Sequence, residues 1–263
     1  MNLDLQGNVA LVTASTSGLG KASAKTFAAQ DANVVINSRD ADSLSEAVEE
    51  LSAVGSGRVI GHQADLTEKA AIEGLVERTL SEFGRLDHLV TSAGGPPSGP
   101  FLSMDDEDWY HAFDLLVMSV VRVVREAADA LRADGGGTIV NITSRSVKEA
   151  IDSLVLSNSV RMSVIGLEKT LSAEFAPEVR SNAVLPGPHE TNRIKSLVQQ
   201  AIERGEYDSY EAAMQDRSSG IPLGNIGDPD DFGNLVAFLS SPAAAHINGV
   251  AIPVDGGAGA SNL

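Results

Sequence analysis

The stretch Thr13-Ala14-Ser15-Thr16-Ser17-Gly18-Leu19-Gly20 follows the apolar run Val9–Thr13 and opens directly into Lys21-Ala22-Ser23-Ala24. The run is short and unbroken, as a strand covered on both faces should be, and the residues from Gly20 onward carry a helical pattern. Glycine lets the connecting loop turn sharply and lets its backbone come close to a ligand. The helix start then presents free N–H groups and a positive dipole end to that ligand. Strand, glycine-bearing loop and helix in that order read as a cradle for the pyrophosphate of a dinucleotide. A glycine pair outside such a context would be a plain turn.

Outward from this loop the same alternation continues. Strands are predicted at Val9–Thr13, Asn33–Asn37, Val59–Gln63, Leu86–Thr91, Thr138–Ile142, Arg180–Leu185 and Val250–Val254. Helical patterns lie between them at Gly20–Gln30, Leu44–Val54, Lys69–Phe83, Asp106–Arg132, Leu154–Phe175 and Pro229–Leu239. Alternation of this kind specifies an α/β chain, a doubly wound Rossmann-type fold with a seven-stranded parallel sheet flanked by helices on both faces. The expected organisation is a single domain over residues 1–263, without internal repeats or low-complexity linkers. Residues 188–227 form a polar, helical insertion before the last strand. They are a candidate substrate lid, because ligands of such sheets sit beyond the carboxyl ends of the strands.

Composition narrows the class further. The 263 residues are 43% hydrophobic, enough for one large core. No run approaches the ~18 consecutive apolar residues of a membrane span, and the first residues lack the basic-then-apolar pattern of a secretory signal. Cysteine is absent, which excludes disulfide and thiolate chemistry and fits a cytoplasmic location. The net charge is −17, from 36 acidic and 19 basic residues, and such a surface repels nucleic-acid phosphates. Six of the basic residues are lysine, a balance that suits either an ordinary acidic enzyme or one adapted to high salt. No cluster of metal-ligating residues is apparent.

Several motifs in chain order resemble the short-chain dehydrogenase/reductase superfamily, and the resemblance spans nearly the whole sequence. The opening loop is similar to that family's Thr-Gly-x-x-x-Gly-x-Gly, with Ala14 in place of the first glycine. Asp65-Leu66 stands where the family's aspartate contacts adenine, and Ser92-Ala93-Gly94 resembles the end of Asn-Asn-Ala-Gly. Leu185-Pro186-Gly187 with Thr191 beyond resembles the turn beside the nicotinamide amide. Ile221-Pro222-Leu223-Gly224 and Val254-Asp255-Gly256-Gly257 are similar to the closing segment of the family's oligomeric branch, among them reductases of 3-oxoacyl-carrier-protein. The resemblance implies cofactor contacts from Thr13, Ser15, Ser17, Gly18, Leu19, Gly20, Ser38, Arg39, Asp65, Leu66, Ser92, Ala93, Gly94, Pro186, Gly187 and Thr191. It also implies a homotetramer, with a dimer as the alternative, formed through the two long helices and the final segment.

At the end of the second strand, NAD-specific relatives place an acidic residue near Ser38 to bind the ribose 2′-hydroxyl. Serine removes the repulsion against a 2′-phosphate, and Arg39 offers a bidentate donor to it, which favours NADP. The alternative is NAD, with Arg39 a surface residue and Asp40 on the ribose.

The family's chemistry uses a serine and a tyrosine at the substrate carbonyl, a lysine one turn after the tyrosine, and an asparagine on an earlier helix. Ser144, in Val140-Asn141-Ile142-Thr143-Ser144, takes the place of the serine. Alignment on Ser144 and on Gly166-Leu167 puts Ser157 and Arg161 where the tyrosine and lysine belong, and Leu116 where the asparagine belongs. The i, i+4 spacing keeps Ser157 and Arg161 on one helix face. Their acid–base character differs, since an alcohol is a far weaker acid than a phenol of pKa ~10 and a guanidinium keeps its proton. Arg161 can instead stabilise an oxyanion or clamp an anionic group. His189 is a candidate replacement acid or base, set against the alternative of a loop histidine without that task. Lys148 and Glu149 are further candidates, and Trp109 and Tyr110 read as packing or interface residues.

Three functions fit these residues. The first is an NAD(P)-dependent oxidoreductase acting on a carbonyl/alcohol pair of a small molecule by an altered proton path. The second is a non-catalytic NAD(P)-binding or sensing protein. The third is an enzyme of another reaction class that uses Arg161 as an anion anchor.

Overall fold

The computed structural model describes residues 2–261. Seven strands form one parallel sheet: β1 (Val9–Val12), β2 (Asn33–Ser38), β3 (Val59–Gln63), β4 (His88–Thr91), β5 (Gly137–Ile142), β6 (Val179–Pro186) and β7 (Ala251–Val254). Their spatial order is β3-β2-β1-β4-β5-β6-β7, with every neighbouring pair parallel. The sequence pattern anticipates each strand to within two residues. Leu86 and Asp87 lie just ahead of β4, where the Asp87 carboxylate accepts the Val9 N–H at 2.7 Å and pairs with Arg85.

Helices cover both faces. On one side α1 (Gly18–Ala29), α2 (Ala41–Ser52) and α9 (Pro229–Ser240) pack on the sheet around Phe27, Leu51 and Phe232. On the other, α3 (Lys69–Phe83), α4 (Asp106–Phe113), α5 (Ser119–Arg132) and α6 (Val155–Glu174) pack around Ile72, Leu75, Leu131 and Leu156. This two-sided burial explains why the central strands read as unbroken apolar runs.

The expected helix Asp106–Arg132 is interrupted by one π turn, Asp114–Met118, between α4 and α5. The wider turn directs Leu115 toward the main cleft and leaves Leu116 2% exposed in the core. Such turns are frequent at functional sites. Here the π turn contains Leu116, the position where the family resemblance implies an asparagine.

The segment 188–227 holds two further helices, α7 (Asn192–Glu203) and α8 (Tyr210–Ser219). Its ends are clasped together: Gly227 N–H donates to Pro188 O and Glu190 N–H to Gly227 O, each at 3.0 Å. The excursion therefore leaves and re-enters the domain at one point. Among the described residues no helix is long and apolar enough to cross a membrane, and no group of His, Asp and Glu could hold a metal ion.

Candidate active site

The strand order reverses between β1 and β4, and a cleft of about 840 Å³ opens at the carboxyl ends of the strands there. This is where open parallel sheets bind ligands. At one end the 13–20 loop runs into α1. Ser17 begins that helix without capping it through its side chain, and the first turn carries no acidic residue. The N–H groups of the first turn thus face the cleft without the usual side-chain acceptor, which is the donor set a phosphate needs.

Two glycines shape this loop for different reasons. Gly18 has φ +56°, a left-handed conformation that side chains disfavour. Gly20 has an ordinary backbone, but a Cβ on it would sit 2.5 Å from Ala14 O. Ala14, where the family resemblance implies glycine, has φ +46° and is held there by donating its N–H to Asn37 Oδ1 at 2.9 Å. Thr191, the N-cap of α7, lies across the cleft, with its methyl 3.4 Å from the Cβ position of Gly18.

Most of the expected cofactor residues line this cleft: Ser17, Gly18, Leu19, Gly20, Ser38, Arg39, Asp65, Leu66, Ser92, Ala93, Gly94, Pro186, Gly187 and Thr191. Thr13 and Ser15 do not line it. Both are buried and tie the loop to the sheet beneath. Thr13 Oγ1 donates to Ser92 O at 2.7 Å and accepts Ser92 N–H at 2.8 Å, while Ser15 Oγ donates to Val12 O and accepts Asn37 N–H. Thr16 and Asn37 line the cleft without having been anticipated. Asn37 also donates to Ala64 O, so it bridges the phosphate loop and the end of β3.

The ends of β2 and β3 bear on the choice of nucleotide. Asp40 is turned away from the cleft: its carboxylate caps α2 by accepting Ser43 N–H at 2.8 Å, and that bond and one from the Ser43 hydroxyl hold it below its usual range. Ser38 and Arg39 remain at the cleft, the Arg39 side chain 72% exposed and 3.9 Å from Asp65. Burial opposes ionisation of Asp65, yet the N–H and hydroxyl of Thr67 keep it below the ordinary carboxylate range. The local residues fit a nicotinamide dinucleotide: uncapped N–H donors at the phosphate end, and a ribose position with a cation and no free carboxylate directed at it from α2.

At the other end of the cleft lie Ser144, Ser157 and Arg161. Ser144 lies two residues beyond the end of β5 and accepts Ser146 N–H at 3.1 Å through its hydroxyl oxygen. Ser157, on α6, is 6% exposed, and its hydroxyl shares a 3.1 Å hydrogen bond with that of Ser146. Arg161 lies one turn further along the same face of α6. Its Nε is buried, and no hydrogen bond or ion pair reaches it among the described residues. Burial, with the charge of Arg193 adding to it, lowers its pKa to about 10, still far above neutrality.

The other expected candidates have different tasks. His189 lines the cleft but is 4% exposed, packed edge-on against Phe232 at 5.4 Å, with Nδ1 3.0 Å from Gly187 O. Burial lowers its pKa, so it is neutral near pH 7. Glu149 pairs with Arg145 at 2.6 Å and accepts Ala260 N–H, securing the C-terminal segment. Lys148 is exposed outside the main cleft, on a small depression beside Asp255. Trp109 packs edge-on with Phe101, and Tyr110 is 74% exposed. Among the described residues Tyr207 is the tyrosine that lines the cleft, and its hydroxyl donates to Asp216 at 2.6 Å.

Comparison with known proteins agrees with this geometry. Residues 13–259 match the family model described as enoyl-(acyl carrier protein) reductase. The chain belongs to the short-chain dehydrogenase/reductase superfamily. It is 30% identical over 257 residues to a 7alpha-hydroxysteroid dehydrogenase of Escherichia coli, covering 97% of this chain and 96% of the relative. Among solved structures, the L-sorbose reductase of Gluconobacter frateurii complexed with NADPH and L-sorbose superposes with a TM-score of 0.91 at 30% identity, covering 98% of each chain. An actinorhodin polyketide ketoreductase with NADPH gives a TM-score of 0.92 at 30% identity, over 97% of this chain and 98% of that one. The seven-stranded parallel sheet with helices on both faces is thus the fold of the superfamily.

Proposed function

We propose that this chain is an NADP-dependent oxidoreductase that interconverts a carbonyl and an alcohol on a small molecule, with Ser144, Ser157 and Arg161 replacing the usual proton machinery. The observation that supports it is the arrangement of one continuous cleft. Uncapped N–H donors and Arg39 lie at one end, and two hydroxyls beside an unpaired guanidinium lie at the other. Asp40, occupied as a helix cap, leaves the ribose position to Ser38 and Arg39, and this favours NADP over NAD. The NADPH complexes of similar reductases agree.

A bound NADPH supplies a hydride, so the protein must position a carbonyl and tolerate charge on its oxygen. The Ser144 and Ser157 hydroxyls donate hydrogen bonds to that oxygen. The Arg161 charge lowers the energy of the developing alkoxide without giving up a proton. The proton then comes from solvent water through the cleft. Losing a positioned acid costs a factor of about 10²–10⁴, which leaves orientation and charge stabilisation in place. The segment 188–227 serves as lid, since its helix α7 borders the cleft through Thr191, Arg193 and Ile194. Phe101, Leu102, Tyr110, Phe113 and Met162 form an exposed apolar group contributed by α4, α6 and their flank, and Leu223 is exposed in the closing segment. The exposed apolar side chains on α4 and α6 support an oligomer formed through these helices, a homotetramer or a dimer.

NADPH fluorescence and NADPH oxidation over a panel of ketones test the reading. The expected result is NADPH binding, turnover in the parent, and loss of turnover in Arg161→Ala. Binding without turnover, together with activity gained in Ser157→Tyr/Arg161→Lys/Leu116→Asn, would make the protein a nucleotide sensor instead. No association with either dinucleotide would end the proposal.

A further inference from the structure

The whole chain carries nearly twice as many acidic as basic residues, yet its cleft has the opposite balance: six arginines and three carboxylates line it. Three of the arginines have carboxylate neighbours. Arg39 lies 3.9 Å from Asp65, Arg145 pairs with Glu149 and Arg204 with Glu206, the last two at 2.6 Å. A fourth, Arg217, rests over the Tyr207 ring and donates to Ala213 O. Arg161 and Arg193 remain, and among the described residues neither has an acidic partner.

Arg193 is built into place. It stands in the first turn of α7 and donates from Nη2 to Pro96 O at 2.9 Å, across the cleft. Gly95 gives it room, because a Cβ there would lie 2.4 Å from Arg193 Cζ. Gln200 accepts from the Ser98 hydroxyl, and Arg204 reaches Ser98 at 3.5 Å, so α7 meets the 96–98 wall at three points. Arg161 approaches from α6, and both side chains line the same cleft. Two cations lining one cleft without an acidic partner, one with a buried Nε lacking an acceptor, are costly unless an anion joins them.

Resting on the oxidoreductase reading above, we infer that the substrate is a short oxo or hydroxy acid whose anionic group is clamped between Arg161 and Arg193 while its carbonyl meets Ser144 and Ser157. Ser157 and Arg161 are one helical turn apart, about 5–6 Å, so the anionic group and the carbonyl are near neighbours in the molecule. A carboxylate suits the planar fork of arginine; a phosphate shares the same chemistry and is kept as a separate arm of the test. The positive cleft in a negative chain also draws such a substrate inward.

The experiment uses full-length protein saturated with NADP⁺, so that the phosphate loop is occupied, and titrates malonate and inorganic phosphate separately by calorimetry. The proposal expects at least one to bind, with affinity falling about 10- to 100-fold in Arg193→Gln, as expected for a lost charged hydrogen bond. Arg78→Gln, a surface control, should bind as the parent does. Turnover gives the second readout: pyruvate and acetoacetate should be favoured over their ethyl esters, and Arg193→Gln should erase the preference mainly through KM. Binding of malonate alone selects the carboxylate, and binding of phosphate alone selects a phosphorylated substrate. If neither anion binds, or both bind Arg193→Gln and Arg161→Gln as they bind the parent, the inference is wrong even where NADP⁺ binds. Failure of the NADP⁺ titration itself would instead defeat the cofactor reading.

Discussion

Replacing Gly20 with alanine should damage the phosphate loop more than replacing Gly18, although only Gly18 has an unusual backbone. A methyl on Gly20 would meet Ala14 O at 2.5 Å, Ala14 C at 3.2 Å and Ser15 Cα at 3.1 Å. All three are backbone atoms of the loop, so no rotamer can relieve the contact, and the loop and α1 must part by roughly 1 Å. Overpacking of this kind costs about 1–3 kcal/mol. At ~2–4 °C per kcal/mol for a chain near this size, the melting temperature should fall by roughly 2–12 °C. Because the displaced atoms are the proposed pyrophosphate cradle, the same energy taken from binding weakens NADPH by about 5- to 150-fold. At Gly18 the added methyl lies 3.4 Å from Thr191 Cγ2, an ordinary contact, and the cost is the positive φ alone, about 1–2 kcal/mol. Thermal melts and NADPH fluorescence titrations of both variants decide the matter. Unchanged NADPH affinity in Gly20→Ala, or a larger loss in Gly18→Ala, would show that the close approach of loop and helix does not shape this site.

The converse change, Ala14→Gly, should stabilise the protein by about 0.5 kcal/mol: relief of the left-handed alanine exceeds the extra freedom of the unfolded chain. A lower guanidinium midpoint in that variant would contradict this. Glu168 on α6 is 1% exposed with Oε1 lacking a partner, and burial raises its pKa from 4.5 to about 7, partly offset by Lys169. The folded state therefore holds the proton more tightly. Its stabilising effect is fully present below pH ~4.5 and is lost as pH rises through about 7, amounting to at most ~3 kcal/mol. Glu168→Gln should be more stable than the parent at pH 8 and should converge with it near pH 5; parallel stability curves in denaturant would refute the assignment. Arg39→Ala should weaken NADPH by about tenfold or more and leave NADH nearly unchanged, and equal losses for both nucleotides would remove the 2′-phosphate contact.

The strands and the phosphate loop were legible in the amino-acid order because their signals are local. An apolar run of four to six residues, a glycine turn and a 3.6-residue period are written into neighbours along the chain. The i, i+4 relation of Ser157 and Arg161 is local in the same way, and so is the loss of the phenol and the amine from those positions. Side-chain roles beyond this depended on contacts between distant segments. Nothing near Thr13 or Ser15 in the sequence shows that both point into the sheet, because their partners at Ser92 and Asn37 lie 79 and 22 residues away. Asp40 could equally have bound a ribose or begun a helix, and the packing of α2 settled it as a cap. His189 was a chemical candidate until Phe232 and Gly227 closed around it.

Arg193 shows the same limit most clearly. In the sequence it is one arginine in a polar insertion, and the only available signal was the presence of three arginines within 188–227 of an acidic chain. Its meaning arises from a hydrogen bond to Pro96, 97 residues earlier, and from the space left by Gly95. Periodicity and propensity determine which elements form and which face each buries. Which charged groups meet across a cleft, and which of them lack a partner, follows from long-range packing, because burial and pairing exist only once the distant walls have been brought together.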